Sequence, residues 1–193
     1  KLKAYLWLNP DDALAQADRV DPKSAALLAG VPVAVKDVLN VDGQPCTCAS
    51  KILKGYTSVY DAHVITRLKQ AGAIILGKTN THEIALGVTT NNPHYGACLN
   101  PWDTTRTPGG SSGGSAVAVA TGMALGAMGT DTGGSIRIPA SLCGIVGLKP
   151  TYGRVSLRGV FPLSWNLDHA GPITRNVEDA ALMLQVMGGY DEL

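Results

Sequence analysis

The chain has 193 residues, enough for one substantial core. Its charged fraction of 16% is low against a usual value of about 25%, and its 23 glycines point to much buried surface and many tight turns. A formal net charge of +1 gives no electrostatic basis for binding nucleic acid, a membrane surface or a strongly acidic substrate, and no apolar run approaches the ~18 residues of a transmembrane helix.

In chain order, DDALAQADRV (11–20) opens with acids, carries alanines and reads as a short helix. In VPVAVK (31–36), Val31, Val33 and Val35 share one face of a strand, while Pro32, Ala34 and Lys36 share the other. Lys36 is therefore aimed at small or apolar neighbours. DAHVITRLKQAG (61–72) sets Val64, Ile65 and Leu68 at helical spacing and stops at Gly72, and AIILG after it is a short apolar strand. Strand, helix, strand in that order predicts an α/β layered fold with some parallel pairing. Residues 88–107 hold two Asn-Pro pairs and scattered threonines and read as irregular surface loop. AVAVATGMALGAM (116–128) has no charge on any face, so as a helix it would be buried on all sides. NVEDAALMLQVMG (176–188) has an Asn cap, Asp179 three residues later and a terminal glycine, which marks a helix.

Several motifs fail on physical grounds. GAIILGKT (72–79) matches the phosphate-loop pattern letter for letter, but its four middle residues should themselves be strand, leaving no loop of amides for a phosphate. His82-Glu83 lacks a second histidine, because position 86 is Leu86, and the four histidines show no metal spacing. Cys46, Cys48, Cys98 and Cys143 lack paired zinc-site spacing and read as free thiols in a reducing cytoplasm. GGSSGGS (109–115) leads straight into apolar sequence, which argues against a flexible linker. It matches G-x-S-x-G around both Ser111 and Ser112, with Asp168-His169 downstream. The segment before it makes a poor strand, and adjacent acid and histidine side chains usually diverge, so a Ser-His-Asp hydrolase is disfavoured.

DTGGSIRIPAS (131–141) is a better-built serine site. Ser135 can cap a short helix beginning at Ile136, with Pro139 in the first turn, where proline sacrifices no internal bond. Free N–H groups around Thr132 to Ser135 would then converge where anionic oxygen is favoured, and Gly133 and Gly134 would admit a carbonyl close to the backbone. A hydroxyl beside oriented amides is what acyl transfer requires; an ordinary glycine turn with a capping serine fits the same residues equally well. A serine nucleophile needs a base. Lys36 is the best candidate in the chain, provided that burial lowers its pKa from about 10.4 toward about 7–8. A solvated strand-edge lysine is the other reading.

VPVAVKD, PGGSSGGSA and GTDTGGSIRIPAS, together with GLKPTYGRVS (147–156) and PLSWNLDHAGPITR (162–175), resemble the amidase signature family, in order and over nearly the whole chain. The resemblance implies a three-layer α/β/α fold with a mixed central sheet and a Ser-cisSer-Lys triad. Ser135 is the implied nucleophile, Ser111 the proton relay following a cis peptide bond, and Lys36 the base. The N–H groups of Thr132, Gly133, Gly134 and Ser135 form the implied oxyanion hole, and Ser112 is structural or substrate-facing. No metal or other cofactor is implied.

The expected activity is cleavage of a carboxamide C–N bond in a small-molecule substrate through an acyl-enzyme, in the cytoplasm, with no membrane and no direct nucleic-acid contact. One alternative is the glutamine-hydrolysing A subunit of a glutamyl-tRNA(Gln)/aspartyl-tRNA(Asn) amidotransferase; another is an inactive scaffold homologue. VFPLSWNLDHAGPITR favours the stand-alone amidase, for which a homodimer is one arrangement, whereas the amidotransferase alternative requires partner subunits. The chain lacks an initiator methionine and stops in GGYDEL just after a helix. We therefore expect residues 1–193 to be one partial domain whose C-terminal portion lies beyond it.

Overall fold

The structure is a computed structural model and describes residues 1–192. Six strands form a single sheet: β1 (Tyr5–Leu8), β2 (Pro32–Lys36), β3 (Ile74–Thr79), β4 (Gly126–Asp131), β5 (Val146–Gly147) and β6 (His169–Thr174). Their order is β1-β3-β2-β4-β6-β5. The central strand β2 runs parallel to β3 and β4, while β1, β6 and β5 pair antiparallel, so the sheet is mixed.

Helices α1 (Pro10–Asp18), α2 (His63–Gln70), α3 (Gly113–Ala120), α4 (Arg137–Cys143) and α5 (Val177–Met187) complete the fold. Two apolar cores divide the side chains of the sheet between them. Val33 and Val35 of β2 join Val64, Ile65 and Leu68 of α2 and Met183 and Met187 of α5 in the first. Ala34 joins Ala116 to Val119 of α3 and Cys143 of α4 in the second. Successive side chains of a strand point to opposite faces, so the alternation predicted for 31–36 produces the three layers. All four cysteines are free and buried, Cys46 and Cys48 in the first core and Cys98 and Cys143 in the second.

The helix caps follow local chemistry. The Asn9 side chain accepts the Asp12 N–H at 3.2 Å, and that of Asn176 accepts the Asp179 N–H at 2.8 Å. Helix α3 lies on the sheet so closely that a side chain at Gly114 would collide with the backbone of Ala4 and Asn80.

Three expectations need correction. The apolar run 116–128 is not one helix: α3 ends at Ala120, Gly122 turns the chain at φ 74°, and Gly126–Asp131 is strand β4. Residues 88–107 are irregular but not all at the surface, since Thr90, Asn92, Cys98 and Asn100 are buried. Ser135 does not cap α4, which begins at Arg137 after Ile136 and takes its cap from a carboxylate described below.

Candidate active site

Lys36 is the last residue of β2 and is fully buried. Its Nζ donates to Ser111 Oγ and to Thr130 Oγ1, each at 2.7 Å. Burial pushes its pKa down from 10.5 to about 7, against smaller opposing effects from Asp131, Cys48 and Asp168. The chain thus holds an amine near half-neutral at physiological pH in contact with a serine hydroxyl.

Ser111 is positioned by its backbone. The Gly110–Ser111 peptide bond is cis, as the resemblance implies. The Ser111 carbonyl accepts from the Thr81 hydroxyl at 2.8 Å, the His82 N–H at 3.1 Å and the Thr90 hydroxyl at 3.2 Å. Thr90 also lies 2.9 Å from the Gly109 carbonyl and accepts the Gly113 N–H. A side chain at Gly110 would meet Thr89 and Thr90 at under 3 Å, so the tight approach requires glycine there.

Ser112 binds the serine loop to β4. It is fully buried, its Oγ donates to the Thr130 carbonyl at 3.1 Å and accepts the Thr130 N–H at 3.3 Å, and its own N–H donates to the Ser135 carbonyl at 3.1 Å. Its hydroxyl is thus engaged by the backbone of β4 on both its donor and its acceptor side. The Ser112–Ser135 bond brings the Ser111 loop beside the 131–135 loop. The Ser135 side chain is nearly buried, and its hydroxyl makes no hydrogen bond to another described residue.

Asp131, the last residue of β4, organises the second loop. Its carboxylate accepts the N–H groups of Gly134 at 2.8 Å and Ile136 at 3.1 Å, and Arg137 grips it through Nε and a terminal nitrogen at 3.0 and 2.9 Å. Burial pushes the Asp131 pKa up, but the hydrogen bonds from Arg137 and Ile136 and the Arg137 charge outweigh it and hold the carboxyl below its usual range. Of the four N–H groups expected to form an oxyanion hole, that of Gly134 is hydrogen-bonded to Asp131. Those of Thr132, Gly133 and Ser135 make no hydrogen bond to another described residue.

The disfavoured motifs behave as their physics requires. Lys78 is buried, donates to the carbonyls of Leu39 and Pro45 and lies 3.2 Å from Asp37, so 72–79 offers no phosphate cradle. His169 spends Nδ1 on the carbonyls of Leu167 and Asp131, and its Nε2 lies 3.3 Å from Lys149 Nζ. No Ser-His-Asp relay forms among the described residues. Sequence reading missed Thr130, the second ligand of the Lys36 amine, and Thr90, the clamp of the cis turn. Nothing local marks either: Thr130 meets Lys36 only because β4 lies beside β2.

Comparison with known proteins adds a separate line of evidence. A family model described as Amidase matches residues 1–193. The A subunit of the glutamyl-tRNA(Gln) amidotransferase of Methylacidiphilum infernorum is 56% identical over 191 residues, covering 99% of this chain and 38% of its own length. A solved peptide amidase from Stenotrophomonas maltophilia superposes with a TM-score of 0.92 at 42% identity, over 99% of this chain and 41% of its own. A chain from a complex described as vestigial, and as revealing the origins of an s-triazine catabolic enzyme, gives a TM-score of 0.96 at 44% identity over 100% of this chain and 43% of its own. The chain spans about two fifths of the curated relatives it matches. No helix among the described residues is long and apolar enough to cross a membrane.

Proposed function

The chain belongs to the Amidase family, and from that premise we propose that its parent protein hydrolyses a carboxamide through Ser135, with Ser111 as relay and Lys36 as base. On this reading residues 1–193 are part of a single amidase domain. The observation that carries it is the 2.7 Å contact between Lys36 Nζ and Ser111 Oγ, made by an amine whose pKa burial has brought down to about 7.

When Lys36 is neutral, its lone pair accepts the Ser111 proton while an N–H still donates to Thr130. Ser111 Oγ then takes the proton of Ser135 as Ser135 Oγ attacks the amide carbon. The tetrahedral oxyanion rests on the N–H groups of Thr132, Gly133 and Ser135, and loss of one such donor typically costs about 10²–10³ in rate. The proton returns through Ser111 to the departing nitrogen. Water or a second amine resolves the ester on Ser135.

A second reading takes glutamine as the amide, within a complex of partner subunits. The 56% identity to the amidotransferase relative, against 42% and 44% to the two solved structures above, supports it. Both readings share one test on the full-length protein. Ser135→Ala should abolish fluorophosphonate labelling and turnover across a panel of glutamine, aliphatic amides and aromatic amides; turnover by that variant would overturn the assignment. Turnover of glutamine alone, dependent on partner subunits, selects the second reading.

A further inference from the structure

The Asp168-His169 pair, discarded as half of a hydrolase triad, retains one buried carboxylate with no part in the mechanism above. Asp168 Oδ1 accepts the Thr132 hydroxyl at 2.5 Å, and Oδ2 accepts the N–H groups of Leu163 and Ser164 at 2.8 and 2.9 Å. The Asp168 N–H donates to the Ser164 carbonyl at 3.0 Å. The residue after it, His169, is paired with Asp131 in the β4–β6 ladder. Two carboxylates thus leave neighbouring points of one register pair and reach the same loop from its two ends.

The loop depends on them. A side chain at Gly133 would touch nothing within 4 Å, whereas one at Gly134 would meet Ile138 at under 3 Å, so packing restrains the loop at its Gly134 end and leaves the Thr132–Gly133 end open. Two adjacent glycines have wide conformational freedom. Electrostatic stabilisation of an oxyanion works only when its donors are fixed beforehand. Asp131 fixes the far end through Gly134 and Ile136, and at the near end the Thr132 hydroxyl is the side-chain tie.

We propose that Asp168 is a positioning residue that fixes the Thr132 end of the oxyanion loop through the Thr132 hydroxyl, and couples that loop to the 163–164 turn. The proposal rests on the hydrolase reading above. Asp168 also stands among the groups that act on Lys36, with Asp131 from β4 and Cys48 from the loop after β2, while His82 beside the Ser111 turn feels the Lys36 charge in return.

The test compares Thr132→Val, Thr132→Ser and Asp168→Asn in the full-length protein, using the amide turned over best in the panel. Thr132→Val should lower kcat about 10–100-fold, the cost of displaced rather than deleted donors, with KM little changed. Thr132→Ser keeps the hydroxyl and should restore kcat. Asp168→Asn should lower kcat likewise and move the acidic limb of the pH profile to lower pH, because one negative charge favouring protonated Lys36 is gone. An unchanged kcat in Thr132→Val, or a loss that Thr132→Ser does not restore, overturns the proposal. If Asp168→Asn does not fold, the Thr132 pair decides alone. Turnover that survives Ser135→Ala removes the hydrolase reading and this proposal with it; loss in Ser135→Ala beside full activity in Thr132→Val removes only this proposal.

Discussion

Lys36 joins a large burial cost to the central chemistry. A depression of its pKa from 10.5 to about 7 corresponds to roughly 5 kcal/mol. Activity needs the neutral amine, so kcat should rise with pH through a limb near 7 and fall below it; a profile flat from pH 5 to 9 would exclude Lys36 as the base. The same shift acts on stability. Above about pH 7 the folded lysine is neutral while the unfolded one keeps its proton up to about 10.5, so the unfolded state binds more protons and this contribution to stability grows with pH across that window. Below about pH 7 the burial cost is present in full. This residue was legible because strand alternation fixes which way a side chain points. Thr130, its second ligand, was not, because its role exists only once β4 lies beside β2.

At the scale of elements, the serine loop and the 131–135 loop are positioned from opposite directions. The first hangs from three donors on the Ser111 carbonyl, and the second from the carboxylate that ends β4. Asp131→Asn should show the difference. The amide can still accept one N–H, but it loses the charge that pairs with Arg137, and its NH2 opposes a donor. We expect kcat to fall at least about tenfold as the loop loosens, with the Arg137→Lys variant milder; steady-state kinetics of the pair checks this, and equal rates for Asp131→Asn and wild type would rule it out. Sequence reading placed this helix start within a residue or two yet named the wrong cap, because Ser135 is adjacent in sequence whereas Asp131 reaches the same amides across a turn. It also ran α3 on into β4. The stop signal was Gly122, whose positive φ ends the helix, but its uniformly apolar surroundings hid a change of period from 3.6 to 2.

At the scale of the molecule, one mixed sheet separates two cores and carries the site at the ends of β2 and β4. The α/β order and some parallel pairing followed from short apolar runs punctuated by glycine, but the central place of β2 between β3 and β4 did not. The antiparallel strands β5 and β6 did not, because Val146–Gly147 and HAGPIT lack a periodic apolar pattern. Their assignment depends on long-range pairing, of β6 with β4 and of β5 with β6, which no local window contains.

The partition of the sulfhydryls gives each layer its own reporter. Iodoacetamide should leave all four unmodified in the native protein, since alkylation requires the layer around each sulfur to open. β2 serves both layers, so peptide-resolved mass spectrometry along a urea titration should find both pairs modified at the same denaturant concentration. Earlier modification of one pair would instead mean that its side of the molecule melts away while the other keeps its shape.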